Sequence, residues 1–264
     1  MQDYVASVGT AGSWLAQEHS IHFKSLSCEL PNGLKILHGA SGKLLPQSVT
    51  AIMGASGAGK TTLMNVLVGK VRKSEGAIFL NGHLCENLGD FPSQYGFVPQ
   101  EDVMHRELTV MQNLTFAAAL QLPPGTGRSE ILMCVRDVLV KLQLVHVRHS
   151  IVGDEYHRGI SGGQRKRVNI GLELASRRPI LFLDEPTTGL DSVTATQVVQ
   201  MLATIARTHR MTVTAVIHNP GIRAFAVFTD LILLQPGGYV VFAGKTDRCV
   251  GYFDSIGFPY DVEN

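Results

Sequence analysis

One loop restricts the fold of this chain more than any other feature, because it joins two runs of different periodicity. The run 49–53 (Val-Thr-Ala-Ile-Met) is short, apolar and β-rich, whereas 60–68 shows the leucine spacing of a helix. Between them stands Gly54-Ala55-Ser56-Gly57-Ala58-Gly59-Lys60-Thr61. We therefore predict a strand, a glycine-rich loop and a helix, in that order.

The loop matches the phosphate-binding pattern called Walker A. Its backbone N–H groups can cradle phosphates, the Lys60 ammonium can reach the β and γ oxygens, and the Thr61 hydroxyl can ligate Mg²⁺. The flanking strand and helix are the context that this pattern requires. The predicted phosphate contacts are Gly54, Ala55, Ser56, Gly57, Ala58, Gly59, Lys60, Thr61 and Thr62.

Two later apolar runs also end in polar side chains. The run 179–183 is continuously apolar, as in a strand buried on both faces, and Asp184 and Glu185 follow it. The run 211–217 is a second strand-like segment, and His218 follows it. Because ligands bind at the carboxyl ends of strands in open α/β sheets, we predict that these side chains lie near Mg²⁺ and the γ-phosphate. A solvated acidic turn and a structural histidine are the alternatives.

The segment 160–167 (Ile-Ser-Gly-Gly-Gln-Arg-Lys-Arg) carries a second signal for anion binding. Ser161 and Gln164 form a capping box, which predicts a helix over 165–175 with free backbone N–H groups at its start. Gly162 and Gly163 place no side chain where a phosphate would approach, and the helix dipole adds partial positive charge. An ordinary capped surface helix is the alternative interpretation.

The remaining patterns predict a small antiparallel sheet and a helical segment. Asn81-Gly82 stands between two short strands as a hairpin turn. Thr109 with Gln112 forms a second capping box, and 131–144 is amphipathic. We expect an N-terminal extension over 1–20, a core and β lobe over about 21–102 and 176–264, and a helical subdomain over about 103–175.

Composition limits the possible functions. The chain has 264 residues, 45% of them hydrophobic, which suits one large globular domain or two small ones. Its net charge of +1 gives no reason for a polyanion-binding surface, so a nucleic-acid partner is not favoured. Four scattered cysteines argue against a zinc site or a disulfide framework. No run approaches the roughly 18 apolar residues of a membrane span, so the chain by itself is expected to be soluble.

Taken in order, the motifs resemble the nucleotide-binding domain of an ABC transporter over about residues 20–260. Within that superfamily, 158–169 and 184–192 closely resemble the G subfamily, the white/brown half-transporters, and the stretches around 237–239 and 252–258 are similar as well. The resemblance implies an α/β P-loop NTPase with a RecA-like parallel sheet core, an antiparallel β subdomain and an α-helical subdomain. It also implies that two chains meet head to tail and clamp two ATP molecules.

The resemblance further implies roles for single residues. Gln100 contacts Mg²⁺ and the attacking water, Glu185 is the general base or water orienter, and His218 bonds the γ-phosphate. Asp191 communicates across the dimer. The γ-phosphate of the ATP held by the other chain is contacted by Ser161, Gly162, Gly163 and Gln164. The expected ligands are ATP and Mg²⁺, and the metal-side residues are Thr61, Gln100 and Asp184.

The sequence departs from the family pattern at two places, the region expected to contact the adenine base of ATP and the residue after His218. Many relatives stack adenine on an aromatic residue about two dozen positions before the phosphate loop, but 26–30 contains none. Asn219 follows His218 where the subfamily usually has glutamine. We therefore expect an adenine contact that is looser or apolar, and little effect of Asn219 on hydrolysis.

G-type half-transporters place a transmembrane domain after the nucleotide-binding domain, whereas this chain ends at Asn264. We expect a part of a longer membrane protein that works at the cytoplasmic face, with its transmembrane domain in the same full-length chain. Its other partner is a second nucleotide-binding domain, identical or different. The alternative is a free-standing soluble ABC ATPase. A small-molecule P-loop kinase is a third class, but such a kinase would have no need for the segment 161–164 or for a carboxylate beside Asp184.

Overall fold

A computed structural model describes residues 18–154, 157 and 159–259. Most of the predicted N-terminal extension, and Arg158 of the resemblance, lie outside those ranges. Within them, strands form two sheets. The strands are β1 Ile21–Glu29, β2 Lys35–Leu44, β3 Ser48–Gly54, β4 Glu75–Leu80, β5 His83–Cys85, β6 Tyr95–Val98, β7 Ile180–Asp184, β8 Thr212–Val216, β9 Asp230–Gln235 and β10 Tyr239–Lys245.

The helices lie close to the predicted segments. They are α1 Lys60–Leu67, α2 Val110–Gln121, α3 Arg128–Lys141, α4 Gly162–Leu174, α5 Ser192–Thr208, α6 Ile222–Phe225 and α7 Cys249–Ser255. The predicted helix over 165–175 begins earlier, at Gly162, because Ser161 is its N-cap. The predicted helix over 131–144 is shifted towards the N-terminus and ends at Lys141. In the described ranges, no helix has both the length and the apolar character that a membrane span requires.

The central sheet has the order β10-β9-β3-β8-β7-β6, and β9, β3, β8, β7 and β6 run parallel. Its inner strands are buried along nearly their whole length, which agrees with their continuous apolar runs. The register pairs Ile52 with Val216 and Asp184 with Val216. The carboxyl ends of neighbouring strands therefore lie at one edge.

The second sheet is antiparallel, with the order β2-β1-β4-β5. Asn81 (φ 52°) and Gly82 (φ 83°) are both left-handed, as a two-residue hairpin turn requires. The predicted hairpin is confirmed. This sheet packs on the core through a cluster that includes Phe23, Leu63 and Phe182.

The helices α2, α3 and α4 pack together beside the central sheet. Gly171 on α4 allows a close approach, because a Cβ atom there would lie 2.7 Å from Leu142 and 2.8 Å from Leu114. A parallel sheet with helices and a separate antiparallel sheet agree with the predicted α/β class. The lobe boundaries stay a prediction.

Candidate nucleotide site

Four strands of the central sheet end at one edge, and a predicted site residue lies at or just beyond each end. The β3 strand runs into the loop at Gly54, and Gln100 follows β6. The β7 strand ends at Asp184, and His218 follows β8. Beyond the strands, the N–H of Glu185 donates to the carbonyl oxygen of the last residue of β8 (3.1 Å). Residues that are far apart in sequence thus lie at the same edge of the sheet as the loop that precedes α1.

The loop is closely packed on its inner side and open on the other. A Cβ atom at Gly54 would lie 2.3 Å from the carbonyl oxygen of Leu234, and one at Gly59 would lie 3.0 Å from Leu37. Gly57 (φ 75°) has no atom within 4 Å of that position. A phosphate can therefore approach the backbone at Gly57. The other predicted contacts Ala55, Ser56, Ala58 and Thr62 lie in the loop and in the first turn of α1.

Lys60 is held over the phosphate loop by hydrogen bonds to the loop backbone. Its side chain is almost buried, with 7% of the residue exposed. The ammonium donates to the carbonyl oxygens of Gly54 (3.0 Å) and Ala55 (2.9 Å). A buried cation is stable only with such partners. The charge is therefore held in place at the point where the backbone can receive phosphate oxygens.

One hydrogen bond joins the phosphate loop to the acidic strand end. The Thr61 hydroxyl donates to Asp184 Oδ1 at 3.2 Å. Adjacent oxygen ligands of an octahedral Mg²⁺ with bonds of about 2.1 Å lie about 3 Å apart. These two oxygens therefore fit a Mg²⁺ site.

The charge of Asp184 depends on its surroundings. Burial has the largest effect and raises the pKa of the carboxyl, the hydrogen bond from Thr61 opposes that shift, and the adjacent Glu185 adds to it. Lys70 and Lys60 also lower the pKa. A divalent cation would favour the ionised carboxylate further, so metal binding and deprotonation of Asp184 are coupled.

The backbone turns sharply after β7 and again after β8. Glu185 has a left-handed φ of 47°, and Asn219, one residue after His218, has 46°. The Glu185 carboxylate accepts a hydrogen bond from the Thr188 hydroxyl (2.8 Å). His218 is exposed and lines a cavity of about 300 Å³. Glu185 is half-buried and His218 is exposed, and both follow strands of the central sheet.

Lys70 is a charged neighbour that the sequence motifs did not reveal. It lies three residues after the end of α1, and its Nζ sits 3.0 Å from the centre of the Phe97 ring. Its charge lowers the pKa of Asp184 more than the charge of Lys60 does. No motif includes this position, so its closeness to Asp184 emerges only from the fold, which places Lys70 over Phe97 of β6.

The predicted capping box at the start of α4 is present. The Ser161 hydroxyl accepts from the N–H of Gln164 (3.3 Å), and the Gln164 side chain accepts from the N–H of Ser161 (2.8 Å). Among the described residues, no acceptor is found for the N–H groups of Gly162 and Gly163. Gly162 is exposed and Gly163 is buried, so an anion can approach this helix start at Gly162.

The two glycines have different neighbours. Gly162 is exposed, and a Cβ atom there would meet nothing closer than Arg165 at 3.9 Å. At Gly163 a Cβ atom would lie 2.4 Å from Thr194 of α5. The missing side chain at Gly163 therefore makes room for another helix of this chain, in addition to any role toward a phosphate.

Asp191 is the N-cap of α5. Its carboxylate accepts from the N–H groups of Val193 and Thr194, both at 3.0 Å. The hydrogen bonds from Thr194 lower the pKa of this carboxyl. Within the described part of the chain, no hydrogen bond or ion pair joins Asp191 or Ser161 to the phosphate loop. The predicted residues thus form two groups, one at the sheet edge and one at the starts of α4 and α5.

An aromatic pair borders the phosphate loop, although the segment 26–30 has none and lies mostly buried in β1. The rings of His38 and Tyr239 stack with centroids 4.5 Å apart. The carbonyl oxygen of Ile36, two residues before His38, would lie 3.3 Å from a Cβ atom at Gly59. Sequence reasoning missed this surface because β2 and β10 bring its rings together from distant positions.

Comparisons with known proteins agree with this geometry. The ABC transporter family profile matches residues 37–188. The ABC transporter G family member 25 of Oryza sativa subsp. japonica is 41% identical over 89% of this chain and 23% of its own length. The G family member 28 of Arabidopsis thaliana is 42% identical over 90% of this chain and 22% of its own length. The chain therefore spans about a quarter of the length of these plant relatives.

A solved structure supports the fold. It is cbiO1 from Clostridium perfringens, part of the ABC transporter complex cbiONQ. The TM-score is 0.76 at 22% identity, and the match covers 91% of this chain and 94% of that chain. The predicted P-loop α/β fold is confirmed.

Proposed function

The chain belongs to the ABC transporter family, and we propose that it binds and hydrolyses ATP to drive transport through ATP-dependent dimerisation with a second such domain. The family match supports ATPase activity. The relatives support the predicted G subfamily. The observation that carries the proposal is the hydrogen bond between Thr61 and Asp184, which joins the phosphate loop to the acidic strand end.

At the sheet edge, each side chain has a physical reason for its proposed role. Lys60 exchanges its carbonyl partners for β and γ phosphate oxygens. Thr61 and Asp184 hold Mg²⁺, which when bound neutralises charge on the phosphates. Glu185 accepts a proton from the attacking water or orients it. Gln100 and His218, at the neighbouring strand ends, position that water and the γ-phosphate.

The second group of residues is proposed to act on the ATP of the partner domain. The N–H groups of Gly162 and Gly163 lie at a helix start, which favours an anion, and Ser161 lies beside them. Gln164 completes the cap, and Asp191 holds the start of α5 in contact with α4. Because these residues do not meet the phosphate loop of their own chain, ATP would be enclosed only between two domains. ATP binding then stabilises the dimer.

An exposed apolar surface is the proposed contact with the membrane-embedded part of the protein. Phe116 and Leu120 lie one turn apart on α2 and are 54% and 70% exposed. The ring of Phe116 meets that of His105, and both line a cavity of about 600 Å³. The plant relatives extend well beyond the matched region. We propose that such a further region packs here and that this domain lies at the cytoplasmic face of a membrane.

The test uses the purified chain with two substitutions. We expect Glu185→Gln to keep ATP binding and to dimerise with ATP, while turnover falls by about 100-fold or more because the base is lost. We expect Lys60→Ala to lose ATP binding itself. Binding is followed with a fluorescent ATP analogue, dimerisation by light scattering and turnover by phosphate release.

Two outcomes would contradict the proposal in different ways. Near-normal turnover of Glu185→Gln would remove Glu185 from the reaction. A wild-type rate per chain that stays constant over a wide dilution series would show that a single domain is sufficient, because a site shared between two chains loses activity as the dimer dissociates.

A further inference from the structure

The segment that carries Gln100 is fastened to α4 by a lysine. Lys166 donates to the carbonyl oxygen of Gln100 at 2.6 Å and lies 3.3 Å from the carboxylate of Asp102. Arg165 lies 4.0 Å from the same carboxylate. The basic run after the capping box therefore contacts the chain that follows β6 instead of extending freely into solvent.

A buried asparagine holds the same segment from the next turn of the helix. Asn169 is 1% exposed. Its side-chain oxygen accepts from the N–H of Val103 (3.3 Å), and its amide nitrogen donates to the carbonyl oxygens of Pro99 (3.3 Å) and Glu101 (3.2 Å). Lys166 and Asn169 are three residues apart and share one face of α4. Together they hold the backbone on both sides of Gln100.

The helix that holds Gln100 also has Ser161 as its N-cap. Its first turns contact α5 as well, since Arg167 donates to Gln197 (3.1 Å) and Gly163 lies against Thr194. A hydrogen-bonded helix of 13 residues moves largely as one unit. The Gln100 segment and the Ser161 end are therefore mechanically linked within one chain.

We propose that Lys166 and Asn169 are positioning residues for Gln100, and that they link the glutamine of one ATP site to the Ser161 end that completes the other. This inference rests on the proposed function. Lys166 and Asn169 act through Gln100, which contacts the reacting groups. Loosening them leaves the phosphate loop intact, so the maximum rate changes while ATP binding is retained.

The chain offers a matched control for each residue. Asn113 on α2 is also buried, at 3% exposed, and its side chain bonds the backbone of His105, Leu108 and Thr109 in the adjacent loop. Lys73 donates to the carbonyl oxygen of Glu86 (2.7 Å) and pairs with its carboxylate (2.6 Å). Both controls remove similar interactions at places that do not touch Gln100.

The experiment measures kcat, KM for ATP and the unfolding temperature of each variant, in the wild-type chain and in Gln100→Ala. We expect Asn169→Ala to lower kcat by about 10-fold with KM changed by less than about 2-fold, because the contact of Gln100 with the transition state is weakened. Lys166→Met should lower kcat by about 3-fold. Lys166→Arg should keep kcat near the wild-type value, since arginine keeps a charged donor. Asn113→Ala and Lys73→Met should lower the unfolding temperature similarly and leave kcat within about 2-fold.

The double variants decide between positioning and general weakening. If Asn169 acts through Gln100, adding Asn169→Ala to the Gln100→Ala variant should lower kcat by less than about 2-fold. An equal loss in both backgrounds, or an equal kcat loss in Asn113→Ala, would overturn the inference alone. A normal kcat in Gln100→Ala would overturn the proposed role of Gln100 and this inference with it. Should Asn169→Ala not fold, Lys166→Met in both backgrounds gives the same test.

Discussion

The helices α2 and α4 begin with the same capping box, but they differ in what their first N–H groups contact. In α2 the Thr109 hydroxyl accepts from the N–H of Gln112 (3.2 Å) and the Gln112 side chain accepts in return (2.9 Å). In α4, Ser161 and Gln164 make the same pair of bonds at 3.3 and 2.8 Å. As caps, the two are nearly indistinguishable.

The difference lies in the N–H groups that follow the cap. The first two of α2 donate to the carbonyl oxygens of Ser150 (3.1 Å) and Arg148 (2.9 Å). Those of Gly162 and Gly163 in α4 meet no acceptor among the described residues. A helix start attracts an anion only through donors that the protein has not already satisfied. A capping box therefore predicts a helix, whereas the partners of the N–H groups after the cap decide whether an anion can bind there.

A charge at Gly162 should have the largest effect. We expect Gly162→Asp to lower ATP turnover by about 100-fold, because a carboxylate repels the phosphate that these donors would bind. There is room for the new Cβ atom, and a negative charge at a helix start stabilises the helix by about 0.3–1 kcal/mol, so folding should be retained. Turnover and thermal unfolding are measured together. Gly162→Ala, which adds the Cβ atom without the charge, is the control, and equal activity of the two variants would refute the phosphate role.

Removing each cap gives a smaller and more direct comparison. Ser161→Ala and Thr109→Ala should each lower stability by about 1 kcal/mol. In a domain of this size, that is an unfolding temperature lower by roughly 2–4 °C. Turnover should fall about 10-fold in Ser161→Ala, because a ligand contact is lost as well, and should stay near normal in Thr109→Ala. Equal losses of turnover would mean that both hydroxyls act only as caps.

The smallest effect concerns Glu173, a half-buried carboxylate on α4, since α2 carries no acidic residue. Burial raises the pKa of Glu173 above its ordinary value of 4.5, against the opposing charge of Arg178. The folded protein therefore binds this proton more readily than the unfolded chain does. This contribution destabilises the fold at neutral pH, and the destabilisation is relieved as the pH falls through the raised pKa towards 4.5.

Glu173→Gln should accordingly raise the unfolding temperature at pH 7 by no more than about 4 °C, the shift that roughly 1 kcal/mol produces. The difference from the wild-type chain should shrink as the pH is lowered to 5. Thermal unfolding of both proteins over that pH range is the measurement. A variant that is less stable than the wild type at pH 7 would show that the ion pair with Arg178 outweighs burial.

The features that could be predicted from sequence depend on short stretches of chain. The phosphate loop, both capping boxes and the Asn81-Gly82 turn each follow from neighbouring residues, and the structure contains all of them. The sheet edge could also be predicted, because parallel strands end on one side whatever their order. The sequence therefore places Asp184 and His218 at one edge without any knowledge of the strand order.

The features that escaped prediction depend on distances across the fold. Asn169 looks like any polar residue of a helix, and its three backbone bonds become visible only when α4 lies against the segment after β6. Lys70 and the pair His38–Tyr239 belong to no local pattern. The packing role of Gly163 required the position of Thr194. No periodicity in the sequence encodes such contacts.

At Glu185, the left-handed backbone favours glycine for stability, whereas the proposed reaction requires the carboxylate. Side chains with a Cβ atom are strained there by about 1–2 kcal/mol, a strain that glycine does not have. A selection for thermal stability alone would therefore favour glycine and discard the carboxylate that we propose activates water. Efforts to make this domain more heat-resistant should monitor turnover from the first round, because the most stabilising change at this turn would yield a robust and inactive protein.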